Sequence, residues 1–113
     1  IDLINTNLIK NKYEFQSKLH INQYVINLNS RIISNNINKL RLTEKEINII
    51  LFLNKENKEQ TITSLQKIVW GYSSGLDTHT VETHIYRLRK KIKDNFNDEN
   101  FIINFKNGYK IQN

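Results

Sequence analysis

Apolar positions recur with two different periods along the 113 residues of this chain, and the switch falls at Leu42. Before it the spacing is two. Tyr13, Phe15 and Leu19, then Tyr24, Ile26 and Leu28, alternate with polar residues, which predicts half-buried strands over residues 13–19 and 24–28. Asn29-Ser30 and Asn35-Asn36 are turn signals, so residues 31–34 and 38–42 read as two further short strands of an antiparallel meander. Residues 1–12 alternate weakly and read as a linker or an extra edge strand.

After Leu42 the period is that of a helix. Thr43-Glu44-Lys45-Glu46 has the spacing of a capping box, in which the Thr43 hydroxyl accepts from the Glu46 amide and the Glu46 carboxylate accepts from the Thr43 amide. Ile47, Ile50, Leu51 and Asn54 mark one face of the helix that follows, with Leu53 beside them, and the polar run at 55–60 ends it. Ile62 is expected to pass through as a one-bond strand. Thr61 or Thr63 then caps a second helix that carries Leu65, Ile68 and Val69 and ends near Trp70-Gly71. A loop from Tyr72 to Asp77 follows, and Asp77 or Thr78 caps a third helix.

In that third helix, read from residue 80 to 93, Val81, Ile85, Leu88 and Ile92 fall within roughly 60° of one another at 100° per residue. Thr83, Tyr86, Arg87 and Lys90 point the other way, flanked by His84, Arg89, Lys91 and Lys93. A helix held from behind by apolar residues and carrying Arg, Lys, an aromatic ring and small polar groups in front suits the major groove of DNA. An acidic stretch at 94–100 is expected to break it. Two alternating runs, 101–106 and 109–111, then flank Asn107-Gly108, the strongest short-range hairpin signal, since both residues tolerate the positive φ of a type I′ turn. The pattern is α+β: four strands, three helices and a closing hairpin.

Composition narrows the classes. The chain is long enough for one domain and one core. It has no Met, which reads as a piece of a longer protein, and no Cys, which removes disulfides and thiolate sites and fits a reducing compartment. No apolar run approaches a membrane span and no signal-peptide pattern opens the chain, so a soluble, cytoplasmic protein is expected, without a membrane partner. Asn and Ile occur eighteen times each while Ala and Pro are absent. That skew follows A- and T-rich codons rather than chemistry, and part of the net charge of +6 shares its origin. Placement survives the discount. Residues 78–93 carry +4, residues 94–100 carry −3 and the tail carries +2, so positive charge gathers on one helix and returns in the hairpin. A chain with no Cys, no HExxH and three Gly offers no catalytic constellation and no cofactor site; His20 and His79 have no ligand-like neighbours for a metal.

The segments LTEKEINIILFL, LQKIVWGY, HTVETHIYRLRKKI and NGYKI, in this order and spacing, resemble the winged helix-turn-helix DNA-binding domain of OmpR/PhoB-type bacterial response regulators over about residues 13–113. The resemblance implies sequence-specific binding of double-stranded DNA for transcription regulation, as the effector domain of a two-component system. It implies that Arg87 reads a base edge, with Thr83 and Tyr86 as neighbouring base contacts. It implies phosphate contacts from Trp70, Thr80, His84, Arg89 and Lys90, and a wing that uses Lys106, Asn107 and Lys110. The family's partners are also implied: a homodimer on direct repeats, a receiver domain upstream, a nucleoid location, and RNA polymerase at the loop from Tyr72 to Asp77.

This sequence departs from the family pattern at several of these positions. His79 stands for the usual Arg, Thr83 for an apolar residue and Tyr86 for the first of a paired Arg, which leaves the operator open. The wing tip Phe105-Lys106-Asn107-Gly108 replaces Arg-Gly-x-Gly, so Lys106 or Lys110 must supply the charge as a point cation. The same substitutions allow a different class of function, a winged-helix protein-interaction module that has lost specific DNA binding. An enzyme is not expected.

Overall fold

A computed structural model describes residues 17–56, 58–71 and 75–112. In chain order the elements are β1 (Lys18–Ile21), β2 (Tyr24–Asn27), β3 (Ile32–Ser34), β4 (Lys39–Arg41), α1 (Glu44–Lys55), α2 (Ile62–Leu65, continued as a π-helical turn Gln66–Trp70), α3 (Thr78–Phe96), β5 (Ile102–Phe105) and β6 (Gly108–Ile111).

The four N-terminal strands form an antiparallel meander in chain order. Leu19, Ile26, Ile33 and Leu40 align in one cross-strand row, and the central pair, Ile26 and Ile33, is fully buried. Lys18, His20, Lys39 and Arg41 are exposed on the alternate positions. The first strand lies further along the chain than the alternation predicts, ending at Ile21, which pairs with Tyr24 across Asn22-Gln23. Asn22 takes a φ of 54°, the left-handed geometry that Asn tolerates, and it is the turn signal that sets this register. The expected linker and the start of the first strand, residues 1–16, lie outside the described residues.

The capping box forms as predicted: Thr43 Oγ1 accepts from the Glu46 amide at 3.2 Å, and Glu46 Oε1 accepts from the Thr43 amide at 2.8 Å. The buried side of α1 is wider than the predicted face. It comprises Glu46, Ile47, Ile49, Ile50 and Leu53, with Leu51 and Asn54 only half-buried. β6, the π-helical turn and α3 all pack on α1, so more than one stripe is covered.

At α2, Thr61 is the cap, accepting from the Ser64 amide at 3.1 Å. The one-bond strand is made by Gln60 with Tyr109 and not by Ile62, which opens the helix instead. From Gln66 the winding widens to i→i+5, the Gly71 amide donating to the Gln66 carbonyl at 3.2 Å. The wider turn carries Ile68 out of the stripe. Of the three apolar residues expected on this helix, Leu65 and Val69 are buried while Ile68 is 53% exposed.

Asp77 caps α3, its Oδ1 accepting from the Thr80 amide at 2.9 Å. The helix runs 19 residues to Phe96, through the start of the expected acidic break, and stops where Asn97 adopts the left-handed conformation. The extension has an apolar cause: Phe96 is buried edge-on to Tyr24 at 5.1 Å, and Tyr24 also meets Phe101 at 5.0 Å. The Tyr24 hydroxyl donates to Asp98 Oδ2 at 2.5 Å. Burial first, and then the Asp98 carboxylate, push this hydroxyl well above the usual phenol range. The sheet, the end of α3 and the entrance to the hairpin are thereby joined at one aromatic cluster.

The hairpin forms, but its turn differs from the one predicted. Phe105 pairs with Gly108, so Lys106-Asn107 is the two-residue tip. Positive φ outside glycine occurs among the described residues at Asn22, Arg31 and Asn97, so the tip is not a type I′ turn on Asn107-Gly108. Gly108 answers a different demand. The Gln60–Tyr109 backbone bonds, 2.7 and 2.9 Å, draw β6 against the entry to α2, and a Cβ on residue 108 would lie 2.2 Å from the Gln60 carbonyl oxygen.

Candidate nucleic-acid interface

The rear of α3 is fixed by packing. Val81, Ile85 and Leu88 are 0% exposed and Ile92 1%, which holds the predicted stripe against the core. At about 100° per residue, His79, Thr83, Tyr86 and Lys90 lie along the opposite side, with Arg87 on one flank and Glu82 on the other. Tyr86 is 65% exposed, and His79, Glu82, Arg87 and Lys90 are exposed. Among the described residues neither Arg87 nor Lys90 has an ion-pair partner. Thr83 is half-buried; its hydroxyl donates to the His79 carbonyl at 3.0 Å, which leaves the oxygen free to accept.

The flank toward α1 and α2 is tied by two contacts. Lys91 Nζ meets Glu46 Oε1 at 2.8 Å, the same oxygen that accepts from the Thr43 amide, so the cap of α1 also anchors α3. His84 and Trp70 stack edge to face at 5.1 Å, with Lys45 Nζ 5.9 Å from the indole centroid and donating to the Val69 carbonyl at 3.3 Å. The structure thus brings Trp70 and His84 together, both half-buried. Thr80 is half-buried at the start of the helix, its hydroxyl 3.3 Å from Asp77 Oδ1.

The flank toward the wing is built differently. Arg89 is half-buried and its Nε donates to the Ile102 carbonyl at 3.1 Å, so this residue braces β5 against α3. Lys93 and Glu99 form an exposed pair at 2.9 Å; their mutual hydrogen bond raises the lysine pKa and lowers that of the carboxyl. A groove of about 530 Å³ separates the second half of α3 from the connector, lined by Tyr86, Arg89, Lys90, Lys93, Phe101 and Ile102 among others. Lys106 and Asn107 are exposed at the tip, whereas Lys110 is half-buried in the ladder opposite Ile103. Tyr109 lies deeper in the wing, its hydroxyl raised by burial and then by the nearby Glu82 carboxylate.

Tyr72, Ser73 and Ser74 of the predicted polymerase loop lie outside the described residues; Gln66 Nε2 hydrogen-bonds the Leu76 carbonyl just beyond them. Among the described residues no group of three or more His, Cys, Asp or Glu is placed to hold a metal, and no helix is long and apolar enough to cross a membrane. Sequence reasoning missed the Glu46–Lys91 pair, whose members stand 45 residues apart. It also missed Lys45 beside Trp70 and the exposed Glu82.

Residues 37–111 match the family described as "Transcriptional regulatory protein, C terminal". The chain is 31% identical over 99 residues to the probable transcriptional regulator ycf27 of Cyanophora paradoxa, covering 84% of this chain and 41% of that protein. It is 31% identical over 90 residues to the response regulator SaeR of Staphylococcus aureus, covering 78% of this chain and 39% of that protein. The chain therefore spans about two-fifths of the length of these curated relatives. Among solved structures, the DNA-binding domain of E. coli CadC superposes with a TM-score of 0.70 at 28% identity, covering 82% of this chain and 89% of that one. The DNA-binding domain of the response regulator AdeR, solved in complex with an intercistronic region, gives a TM-score of 0.70 at 25% identity, covering 84% and 99%.

Proposed function

The chain belongs to the transcriptional regulatory protein C-terminal family, and we propose that it binds duplex DNA sequence-specifically as the effector domain of a two-component response regulator. The observation that carries this reading is the two-sidedness of α3: a wholly buried apolar rear and an exposed front bearing Arg87 and Lys90 with no ion-pair partners among the described residues. Such a helix is locked in orientation before DNA arrives, and these two cations are not spent on the protein itself.

In this reading α3 enters the major groove. Arg87 takes a guanine edge bidentately, with Thr83 accepting from a neighbouring base and Tyr86 meeting a thymine methyl through its ring. Lys90 neutralises a phosphate. Trp70, His84 and Thr80 lie on the flank toward α2 and grip the backbone there, the Trp70 indole N–H as donor. Arg89 spends its Nε on the wing and has its remaining donors for phosphate, while Lys106 and Asn107 at the tip, and Lys110 behind them, hold the backbone beside the groove. The greater length of the relatives favours a larger protein; a receiver domain, a homodimer on direct repeats and a bacterial cytoplasmic location belong to the same proposal.

Electrophoretic retardation with random-sequence duplex DNA at several salt concentrations tests the proposal. Each neutralised phosphate releases counterion, so log affinity should fall against log salt with a slope of about 0.9 per contact. No retardation at about 50 mM salt, or affinity independent of salt, overturns it.

A further inference from the structure

Tyr24 carries one polar atom that its packing does not use. Its ring belongs to a residue 1% exposed, edge-on to Phe96 at 5.1 Å and to Phe101 at 5.0 Å, and a phenylalanine would make both ring contacts. The hydroxyl is therefore surplus to the core, and burying a hydroxyl is costly unless it is hydrogen-bonded. Its acceptor is Asp98 Oδ2, at 2.5 Å, while Gln23 Nε2 donates to it at 3.3 Å. The other oxygen of the same carboxylate, Oδ1, accepts from the Asn100 amide at 2.8 Å. Asp98 thus shapes the connector that follows α3 and also fastens it to β2, four positions before β5 begins.

The hairpin beyond the connector needs that fastening. Residues 97–101 belong to no helix or strand, and β5 and β6 have four residues each, too little to hold an orientation of their own. Two attachments come from the helical side, the Gln60–Tyr109 backbone bonds and Arg89 Nε on the Ile102 carbonyl. A body held at two points can still pivot about the line between them. The sheet supplies the further support, and it grips the root of the hairpin on both strands: Tyr24 through Asp98 and Phe101 before β5, and the Asn22 side chain donating to the Gln112 carbonyl at 2.5 Å just past β6. The Gln112 amide donates to the Phe101 carbonyl at 3.2 Å and closes the root. Resting on the DNA-binding reading, we propose that Tyr24 is a positioning residue for the wing: its hydroxyl, acting through Asp98, sets the angle at which the hairpin presents Lys106 and Asn107 to the DNA backbone. The ring serves the core and the hydroxyl serves the aim.

Amide exchange of the free chain and affinity for random-sequence duplex, measured on the parent, Tyr24→Phe, Lys106→Ala and the double variant well below their melting temperatures, test the assignment. In Tyr24→Phe the Gln112 amide should exchange about tenfold faster, because opening the wing root no longer breaks a bond to a carboxylate. Duplex affinity should fall about fivefold, since a pivoting wing must be ordered on binding. Lys106→Ala should lower affinity and leave exchange at Gln112 unchanged. In the double variant the two losses should fall short of their sum, because a misaimed tip has already lost its contact. Exchange at Gln112 equal to the parent's, with the buried amides of α1 exchanging faster, marks a hydroxyl that only stabilises the fold and overturns the proposal. Full additivity of the two losses, or an unchanged affinity in Tyr24→Phe, overturns it as well. These outcomes beside a parent that binds duplex remove the positioning role alone, whereas a parent that retards no duplex at about 50 mM salt overturns the DNA-binding reading with it.

Discussion

The two sides of α3 obey different constraints although they belong to one helix. At the rear, Leu88 is 0% exposed and its position is dictated by atoms it touches within the protein. At the front, Tyr86 is 65% exposed and lines the open groove beside the wing. Stability is therefore concentrated on one side and recognition on the other, and the flanks are where they meet. Lys91 on Glu46 and Arg89 on the Ile102 carbonyl are the contacts that convert a packed helix into an aimed one. A domain built this way can change its operator by substitution at the front without repacking its core.

The largest expected effect belongs to the rear. Leu88→Ala should cost about 2 to 5 kcal/mol in denaturant unfolding, since it removes a fully buried side chain and leaves a cavity in the core. Lys90→Ala should leave the unfolding midpoint in place, and equal losses in the two variants would break the separation of sides. The wing has its own structural point. Gly108→Ala should cost about 1 to 3 kcal/mol, because the new Cβ must displace the Gln60 carbonyl that pairs with Tyr109. Hydrogen exchange should report faster exchange at the Gln60 and Tyr109 amides in this variant.

At the front, Arg87→Ala should lose about 1 to 3 kcal/mol on the preferred site and flatten the selected motif at one base pair, with unfolding unaffected. A uniform loss on all sequences would move the base-reading role to Thr83 or Tyr86. The smallest effect concerns the exposed Lys93–Glu99 pair. Glu99 is depressed below its usual value, so its contribution is present above the ordinary carboxylate range and lost as pH falls through the folded value. Lys93 is raised, so its share is lost as pH rises through its own folded value. A small difference in melting between the parent and Glu99→Gln should exist at neutral pH and low salt. It should vanish in strong acid and shrink in high salt.

Local signals in the sequence were read correctly where the structure is local. The capping box at Thr43 and Glu46, the stripe from Val81 to Ile92 and the alternation of the second strand each depend on residues within a turn or two of one another. The misreadings share the opposite cause. Ile68 keeps a helical spacing, but the π-helical turn shifts its phase, and no residue within 66–70 announces i→i+5 winding. Asp94 begins an acidic run, yet α3 continues past it because Phe96 finds Tyr24, 72 positions earlier in the chain. Gly108 carries a turn signature, but the demand on it comes from Gln60 on another element. In the site itself the exposed residues of α3 were legible from periodicity, whereas the contacts that aim the helix, Glu46 to Lys91 and Trp70 to His84, arise only from tertiary packing.

In the proposed function, the front of α3 is a DNA-gripping surface carried on an independently stable rear. The most direct measurement is the salt dependence of duplex binding by the parent and by Lys90→Ala, with melting temperature recorded on the same samples. The slope of log affinity against log salt should fall by about one in the variant while the melting temperature stays where it was. An unchanged slope, or a melting temperature that falls with the affinity, would contradict it.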